Sequence, residues 1–258
     1  MQGRHASVNW RPRSAHPVKA KGWLSLMKRS AEVPAVRGSG GNVDEPTTRS
    51  RQRGVADTEG RADGTRPLTV RRLLDSAVRA FAEHGFEGTT TRQICAGAGL
   101  SSAALYVYFG SKEELLYEIS MIGHEEALGV LREAVEKSGA DPVERLRAAV
   151  HAFVLYHAEH YTLARVIQYE LRVLSPEHLT TVLTIRREIH QALRSAIEAG
   201  VRAGRFACTD VGGSALAIES LAIDVSRWFD FDRSRWTPSE LAAMYARFAL
   251  RIVQSDSD

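Results

Sequence analysis

Residues 68–116 constrain the fold most strongly, because three short helical patterns follow one another there and glycines separate them. In the first pattern, apolar residues recur at helical spacing and predict one buried stripe. The stripe consists of Leu73, Leu74, Ala77, Val78, Phe81 and Ala82. Gly85 follows at the place where a helix would end in the left-handed conformation. This succession predicts short helices joined by tight turns rather than one long helix.

The second and third patterns form a pair around two further glycines. Thr90 or Thr91 is suited to cap a very short helix, which Gly97 and Gly99 would end. Ser101 is expected to cap the next helix. Ile94 and Cys95 of the second pattern and Leu105 and Phe109 of the third are predicted to be buried. Two short helices around a glycine-containing turn are typical of a helix-turn-helix unit.

Caps and prolines divide the remainder of the chain into longer helices. Ser111, followed by Glu114, predicts a capping box that opens a helix running to about Lys137. Later helix starts are predicted at Asp141, Ser175, Asp210 and Thr237, the last with Glu240 in a second capping box. No stretch alternates between apolar and polar residues for long enough to predict a strand. The sequence therefore predicts an all-α fold of about nine helices.

The run Thr-Thr-Thr-Arg-Gln-Ile-Cys-Ala-Gly-Ala-Gly-Leu-Ser-Ser-Ala-Ala-Leu-Tyr-Val-Tyr-Phe-Gly-Ser-Lys-Glu-Glu-Leu carries more specific information. It closely resembles the DNA-binding signature of TetR-family transcriptional regulators. The resemblance implies a helix-turn-helix DNA-binding domain at residues 67–116 and a ligand-binding and dimerisation domain at residues 117–258. It also implies a repressor that leaves a palindromic operator when a ligand binds. A ligand-independent architectural DNA-binding protein is the alternative, but it would not need so large a helical body.

The resemblance also implies which side chains contact double-stranded DNA. These are Thr91, Arg92, Ser102, Ala103, Ala104, Tyr106, Tyr108 and Lys112. Thr91, Lys112 and the tyrosine hydroxyls suit phosphate, whereas Ser102 and the two alanine methyls suit base edges. The third helix has no Arg, Lys, Gln or Asn, so Arg92 is the nearby guanidinium able to contact guanine. A phosphate contact or a solvated surface position is an equally open interpretation of Arg92.

Two further expectations concern the body. In the family that the chain resembles, the last two helices form the homodimer, which places the interface between Asp210 and Val253. The nearly apolar penultimate helix and the alanines of the last helix favour this interpretation over an intrachain core. The family also implies an inducer site, for which the candidates are Phe153, Tyr156, His157, Val166, Tyr169, Ile189, Trp228 and Phe229. Segments of the body resemble regulators of lipid or sterol breakdown that sense acyl-CoA thioesters.

Charge is distributed unevenly along the chain, whose overall net charge is +3. Residues 1–66 contain 13 Lys or Arg against 6 Asp or Glu, whereas residues 113–258 have a net charge of −6. The basic extension is rich in Arg, Ser, Gly and Pro and lacks helical periodicity, so we expect it to be disordered. Two interpretations stay open: an arm that adds non-specific DNA affinity, or a start placed upstream of a native start near Val55.

Other functional classes find little support in the sequence. It contains no phosphate-binding glycine loop, Ser-His-Asp arrangement or nucleophile elbow, so we expect no enzyme and no cofactor. His157 and His160 have weak metal-ligand spacing, but such histidines are more often polar groups of a pocket, and no metal is expected. No run of about 18 apolar residues predicts a membrane span. Two cysteines without metal or redox spacing suit a reducing cytoplasm.

Overall fold

The computed structural model describes residues 68–254, and this part of the chain folds into nine α-helices and one short 3-10 helix. The first five are α1 (Leu68–Gly88), α2 (Thr91–Gly97), α3 (Ala104–Tyr108), α4 (Lys112–Lys137) and α5 (Pro142–Glu159). They are followed by α6 (Tyr161–Glu170), the 3-10 helix (Leu171–Val173), α7 (Pro176–Arg202), α8 (Val211–Trp228) and α9 (Pro238–Gln254). The predicted all-α fold is confirmed. The N-terminal extension, its expected disorder and the alternative start near Val55 lie outside the described residues.

Most of the predicted helix starts are confirmed by side-chain caps. Thr90 and Gln93 form a complete capping box at α2. The Ser111 hydroxyl accepts a hydrogen bond from the Glu114 amide at 2.9 Å. Asp141, Ser175 and Asp210 cap α5, α7 and α8, and Thr237 with Glu240 forms the box before α9. Each cap satisfies an amide that the first helical turn leaves without a partner.

Two details of the capping predictions are wrong. Ser101 does not cap α3, because the helix begins at Ala104 and its N-cap, Ala103, makes no side-chain hydrogen bond. The chain instead enters α3 through a turn in which the Ala104 amide donates to the Ser101 carbonyl at 3.0 Å. The second half of the box at Ser111 also differs, because the Glu114 carboxylate accepts from the Gly110 amide at 2.7 Å. The sequence spacing alone does not show whether Glu114 accepts from the Gly110 amide or from the Ser111 amide.

The helix α4 takes part in two hydrophobic cores. Its first half contributes Leu115, Leu116, Ile119 and Ile122 to a first core shared with α1, α2, α3, α6 and the start of α7. Its second half contributes Ala127, Leu128 and Leu131 to a second core shared with α5, α7, α8 and α9. The predicted domain boundary near Leu116 therefore lies within one continuous helix, and the division stays a prediction.

Helices α8 and α9 close the second core but keep apolar side chains on the outside. Ala215, Ile218, Ala222 and Val225 are buried on the inner face of α8. The exposed fractions of Leu216, Leu221, Trp228 and Phe248 are 58%, 45%, 39% and 41%. We call these four residues the outer apolar face. Among residues 68–254, no helix has the length and apolar character needed to cross a membrane.

Two glycine-to-alanine substitutions test this packing. A Cβ on Gly200 of α7 would lie 2.0 Å from the buried Phe206 ring, so Gly200→Ala should lower the free energy of unfolding by about 1–3 kcal/mol. A Cβ on Gly129 of α4 would meet nothing within 4 Å, so Gly129→Ala should raise it by about 0.5–1 kcal/mol. Urea denaturation measures both. Equal effects of the two substitutions would contradict the packing of Phe206 against Gly200.

Candidate DNA-reading surface and ligand cavity

Helices α2 and α3 are fixed on α1 by close packing and by one buried hydrogen bond. Ile94, Cys95 and Leu105 are fully buried in the first core. The Ser76 hydroxyl of α1 donates to the Ile94 carbonyl at 2.8 Å. A Cβ on Gly97 would lie 2.4 Å from the same hydroxyl oxygen, so this approach requires glycine. The arrangement leaves the outer face of α3 exposed to solvent.

The exposed face of α3 and the turn before it contain five of the eight residues predicted to contact DNA. Tyr106 and Tyr108 are 60% and 41% exposed, while Ser102 and Ala103 are exposed and Ala104 is half-buried. From α2, the Thr91 hydroxyl lies 3.5 Å from the Tyr106 hydroxyl, and Arg92 is exposed. The structure thus brings the candidates from the two helices onto one surface, which we call the reading surface.

Val107 belongs to the reading surface but was missed by sequence reasoning. It is 74% exposed and lies between the two tyrosines on α3. Its position was available from the helical pattern, because Leu105 and Phe109 point into the core and the residues between them must face outward. An aliphatic side chain carries no hydrogen-bonding group, so it gave no chemical reason for selection.

Lys112 has an intramolecular role that its predicted phosphate contact did not include. Its ammonium group donates to the carbonyls of Phe86 at 2.6 Å and Thr89 at 2.7 Å. It also lies 4.1 Å from the centre of the Phe86 ring, as in a cation–π contact. A cation at these carbonyls compensates the negative end of α1. The phosphate contact stays a prediction, and the side chain also holds α1 to the start of α4.

Two carboxylates, which sequence reasoning also missed, link the DNA-side helices, α1 and the start of α4, to the body. Glu170, at the end of α6, accepts a hydrogen bond from the Phe86 amide at 3.2 Å. Glu113, at the start of α4, accepts from the Ser175 amide at 2.8 Å and contacts His178 Nδ1 at 2.9 Å. Both links join residues far apart in sequence, so no local pattern indicates them. They tie the first core to the ends of α6 and α7.

The body contains a narrow cavity of about 20 Å³ between five helices. Each helix contributes residues spaced three or four apart, so one face of each lines the wall. The lining is formed by Gly123, His124, Ala127, Phe153, Tyr156, His157, Ala164, Ile167, Gln168, Arg186, Ile189, Glu219 and Ile223. A volume of this size has room for about one water molecule. An apolar wall with a few convergent polar groups is typical of a ligand site.

The structure places four of the eight predicted inducer-binding residues at the cavity and four elsewhere. Phe153, Tyr156, His157 and Ile189 line the cavity together. Val166 is buried in the first core, and Phe229 is fully buried in the second. Tyr169 and Trp228 are 53% and 39% exposed. The contact of these eight residues with a ligand stays a prediction, but only the first four share the cavity wall.

The polar groups of the cavity include two buried histidines. Burial lowers the pKa of His124 to about 4 and that of His157 to about 4, and the nearby Arg186 charge acts in the same direction. His124 Nδ1 lies 2.7 Å from the Ser120 carbonyl oxygen, and His157 Nδ1 lies 2.8 Å from that of Phe153. Both rings are therefore neutral at pH 7, and each is held by a backbone group of its own helix.

A larger cleft of about 370 Å³ lies on the surface between α1, α3, α4 and α7. It is lined by Val70, Tyr108, Phe109, Glu114, Tyr117, Glu118 and His178. Its wall carries two carboxylates, and Tyr108 belongs to the reading surface. The interior cavity is the better candidate for a ligand site, because its lining is predominantly apolar and mostly buried.

Metal coordination at His157 and His160 has no support in the described part of the chain. Among residues 68–254, no group of three or more His, Cys, Asp or Glu side chains is placed to hold an ion. One ring nitrogen of His157 is occupied by the Phe153 carbonyl. His160 is buried at the end of α5, where burial lowers its pKa to about 4.

Comparisons with known proteins agree with this architecture. A family model for bacterial regulatory proteins of the tetR family matches residues 73–119, and a tetracyclin repressor-like C-terminal domain matches residues 139–253. The HTH-type transcriptional repressor KstR2 of Rhodococcus jostii is 35% identical over 149 residues, covering 56% of this chain and 72% of that repressor.

Solved structures show the same fold. A tetR-family regulatory protein from Rhodococcus RHA1 matches with a TM-score of 0.67 and 41% identity, covering 73% of this chain and 98% of that one. AibR, solved in complex with isovaleryl coenzyme A and operator DNA, matches with a TM-score of 0.64 and covers 70% and 98% of the two chains. At 23% identity, this second match shows the shared fold alone.

The helix-turn-helix of α1 to α3, with its exposed reading surface on a helical body, defines a DNA-binding transcriptional regulator. The chain belongs to the TetR family of these regulators, as the KstR2 match over most of that repressor shows. The resemblance noted in the sequence is therefore confirmed.

The two roles of Lys112 are separated by comparing it with Arg92. Lys112→Met keeps the aliphatic stem over Phe86 but removes both hydrogen bonds, so the free energy of unfolding should fall by about 1–2 kcal/mol. Arg92→Met, at an exposed position of α2, should change it by no more than about 0.5 kcal/mol. Thermal and urea denaturation without DNA measure both variants. Unchanged stability of Lys112→Met would leave phosphate contact as its main role.

Proposed function

We propose that the protein is a homodimeric repressor that occupies a palindromic operator and leaves it when a hydrophobic or acyl-CoA ligand fills the body. Release from the operator is supported by the hydrogen bonds that Glu170 and Glu113 accept from the Phe86 and Ser175 amides. They attach the DNA-side helices to α6 and α7, which also line the cavity.

Operator contact in this proposal uses the eight residues predicted from the sequence, on or beside the reading surface. The exposed Tyr106 and Tyr108 hydroxyls, with Thr91 and the third proton of the Lys112 ammonium, suit phosphate oxygens. Ser102, Ala103 and Ala104 face the base edges from the start of α3. Arg92 provides a guanidinium at the edge of this surface. These groups supply both backbone positioning and direct readout.

Dimerisation in this proposal uses the last two helices, between Asp210 and Val253. The outer apolar face on α8 and α9 supports it, because four large apolar side chains are exposed there in the single chain. A twofold partner would bury the same side chains on both copies. A symmetric pair of reading surfaces is what a palindromic operator requires.

In this proposal, ligand binding releases the protein from the operator because the cavity is too small to accept the ligand without movement. At about 20 Å³, the cavity admits a ligand only when its walls move apart. Gln168 of α6 and Arg186 of α7 form one wall, joined by a hydrogen bond of 3.0 Å. Separating these helices would disturb their links to Phe86 and Glu113. AibR, which shares the fold, binds isovaleryl coenzyme A, and this supports the acyl-CoA class.

Selection from random DNA tests the operator and the inducer class with the full chain. We expect enriched duplexes to contain two half-sites related by a dyad, because the reading surfaces are paired by symmetry. Fluorescence anisotropy then follows release by isovaleryl-CoA, by longer acyl-CoA and 3-hydroxyacyl-CoA thioesters, and by the corresponding free acids. A single half-site bound by a monomer would contradict the repressor model. Operator binding unaffected by every one of these compounds would reject the inducer class.

Charge placed on the outer apolar face tests the dimer. Leu216→Glu with Leu221→Glu should give a monomer of about half the mass and weaken operator binding, because buried like charges oppose association. Gln191→Glu with Ser195→Glu adds the same two charges to exposed positions of α7 and should leave the dimer intact. Sedimentation equilibrium at micromolar concentration measures the mass. A dimer that persists in the leucine variant would place the interface elsewhere.

A further inference from the structure

The hydrogen bonds of His124 and His157 fix which ring nitrogen carries the proton. Each Nδ1 lies within 2.8 Å of a carbonyl oxygen four residues earlier on the same helix. A carbonyl oxygen only accepts, so Nδ1 must be the donor in both rings. In a neutral imidazole the other nitrogen then has no proton. The cavity wall therefore contains two rings, one on α4 and one on α5, whose Nε2 atoms are hydrogen-bond acceptors.

Several other polar groups near the two rings have hydrogen-bond partners of their own. Arg186 Nη1 donates to Gln168 Oε1 at 3.0 Å, so this bond joins two cavity residues of neighbouring helices. His190 Nδ1 lies 3.0 Å from the buried Glu219 carboxylate. The Tyr156 hydroxyl donates to the Gly123 carbonyl at 2.9 Å and lies 3.4 Å from Glu126. None of these bonds uses an Nε2 atom of the two rings, and both histidines line the cavity.

We propose that the ligand places a hydroxyl group against His124 and His157, donating its proton to an Nε2 acceptor. The hydrocarbon skeleton then lies along Phe153, Ile167 and Ile189 of the same wall. This inference rests on the proposed function only in requiring that a ligand fills this cavity. The class of ligand is a hydroxylated hydrocarbon, either a free alcohol or the hydroxyacyl group of a coenzyme A thioester.

The same geometry disfavours ligands that only accept hydrogen bonds. A ketone or an unsubstituted acyl chain of matching shape would bury the Nε2 acceptors without a donor, and an unpaired buried polar group is destabilising. A carboxylate would place its lone pairs against those of the histidines and would depend on Arg186 instead. Sites built to bind a hydroxyl group reject the analogue that lacks it much more strongly than apolar pockets reject a missing methylene.

Calorimetric titration of the full chain without DNA, using matched pairs of compounds, tests the proposal. The pairs are cyclohexanol with cyclohexanone, and 3-hydroxyhexanoyl-CoA with hexanoyl-CoA. We expect at least one hydroxyl compound to bind about tenfold or more tighter than its partner. The pair that discriminates identifies the source of the hydroxyl. Cyclohexanecarboxylate provides the acid for comparison.

Substitutions at the rings identify the acceptors. One of the two variants, His124→Phe or His157→Phe, should reduce the preference to about twofold or less, because the ring shape remains and the acceptor that receives the hydroxyl proton is lost. His151→Phe changes a half-buried histidine of α5 outside the cavity and should keep the full preference. Near-UV circular dichroism checks folding. If a phenylalanine variant does not fold, the methionine variant at the same position replaces it.

Three results would overturn the inference. They are equal binding within both pairs, a hydroxyl preference that survives both histidine substitutions, and tighter binding of the acid that is lost in Arg186→Met. If none of the hydroxyl compounds binds, the inference is overturned as well. The DNA selection tests the operator model separately. If unhydroxylated thioesters release the operator, the proposed hydroxyl site is wrong but the proposed repressor function stands.

Discussion

The continuity of α4 through two hydrophobic cores is the constraint on which the rest of the structure depends. Leu115 to Ile122 hold the reading helices, and Ala127 to Leu131 pack against α5 and its neighbours. An α-helix resists bending over this length because every turn is hydrogen-bonded to the next. The orientation of the reading surface is therefore set by the packing of the body. The DNA-binding unit and the cavity of the body thus share one helix.

Two carboxylate links also join the helices that carry the reading surface to α6 and α7. Glu170 and Glu113 each use backbone amides at the ends of elements, where amides lack helical partners. Such contacts form or break with small helix displacements, whereas the apolar contacts of the first core do not. The cavity lies between the same helices α6 and α7 on the body side. The fold thus joins the helices of the reading surface to α6 and α7 both by the apolar contacts of the first core and by these two polar links.

Local chemistry explains how much of this was predictable from the sequence. Helix number, the caps at Thr90 and Asp210, and the exposed tyrosines follow from patterns within a few residues. The missing cap at Ser101 and the amide chosen by Glu114 depend on backbone turns that composition does not encode. The links at Glu170 and Glu113 and the lining residues Arg186 and Glu219 arise from packing between distant helices. Half of the predicted inducer residues lie away from the cavity, because apolar residues also fill the cores, as Val166 and Phe229 do, and aromatic residues can also remain exposed, as Tyr169 and Trp228 do.

The small cavity has a consequence for the timing of the response. Because about 20 Å³ has room for about one water molecule, a ligand that fills the cavity as we propose requires its walls to separate. At high ligand concentration the rate of switching is then limited by the opening of α6 from α7 rather than by collision. Helix displacements of this kind take microseconds to milliseconds or longer. On the proposed function, the closed packing of the cavity therefore makes a helix movement, rather than diffusion of the ligand, the step that limits the response.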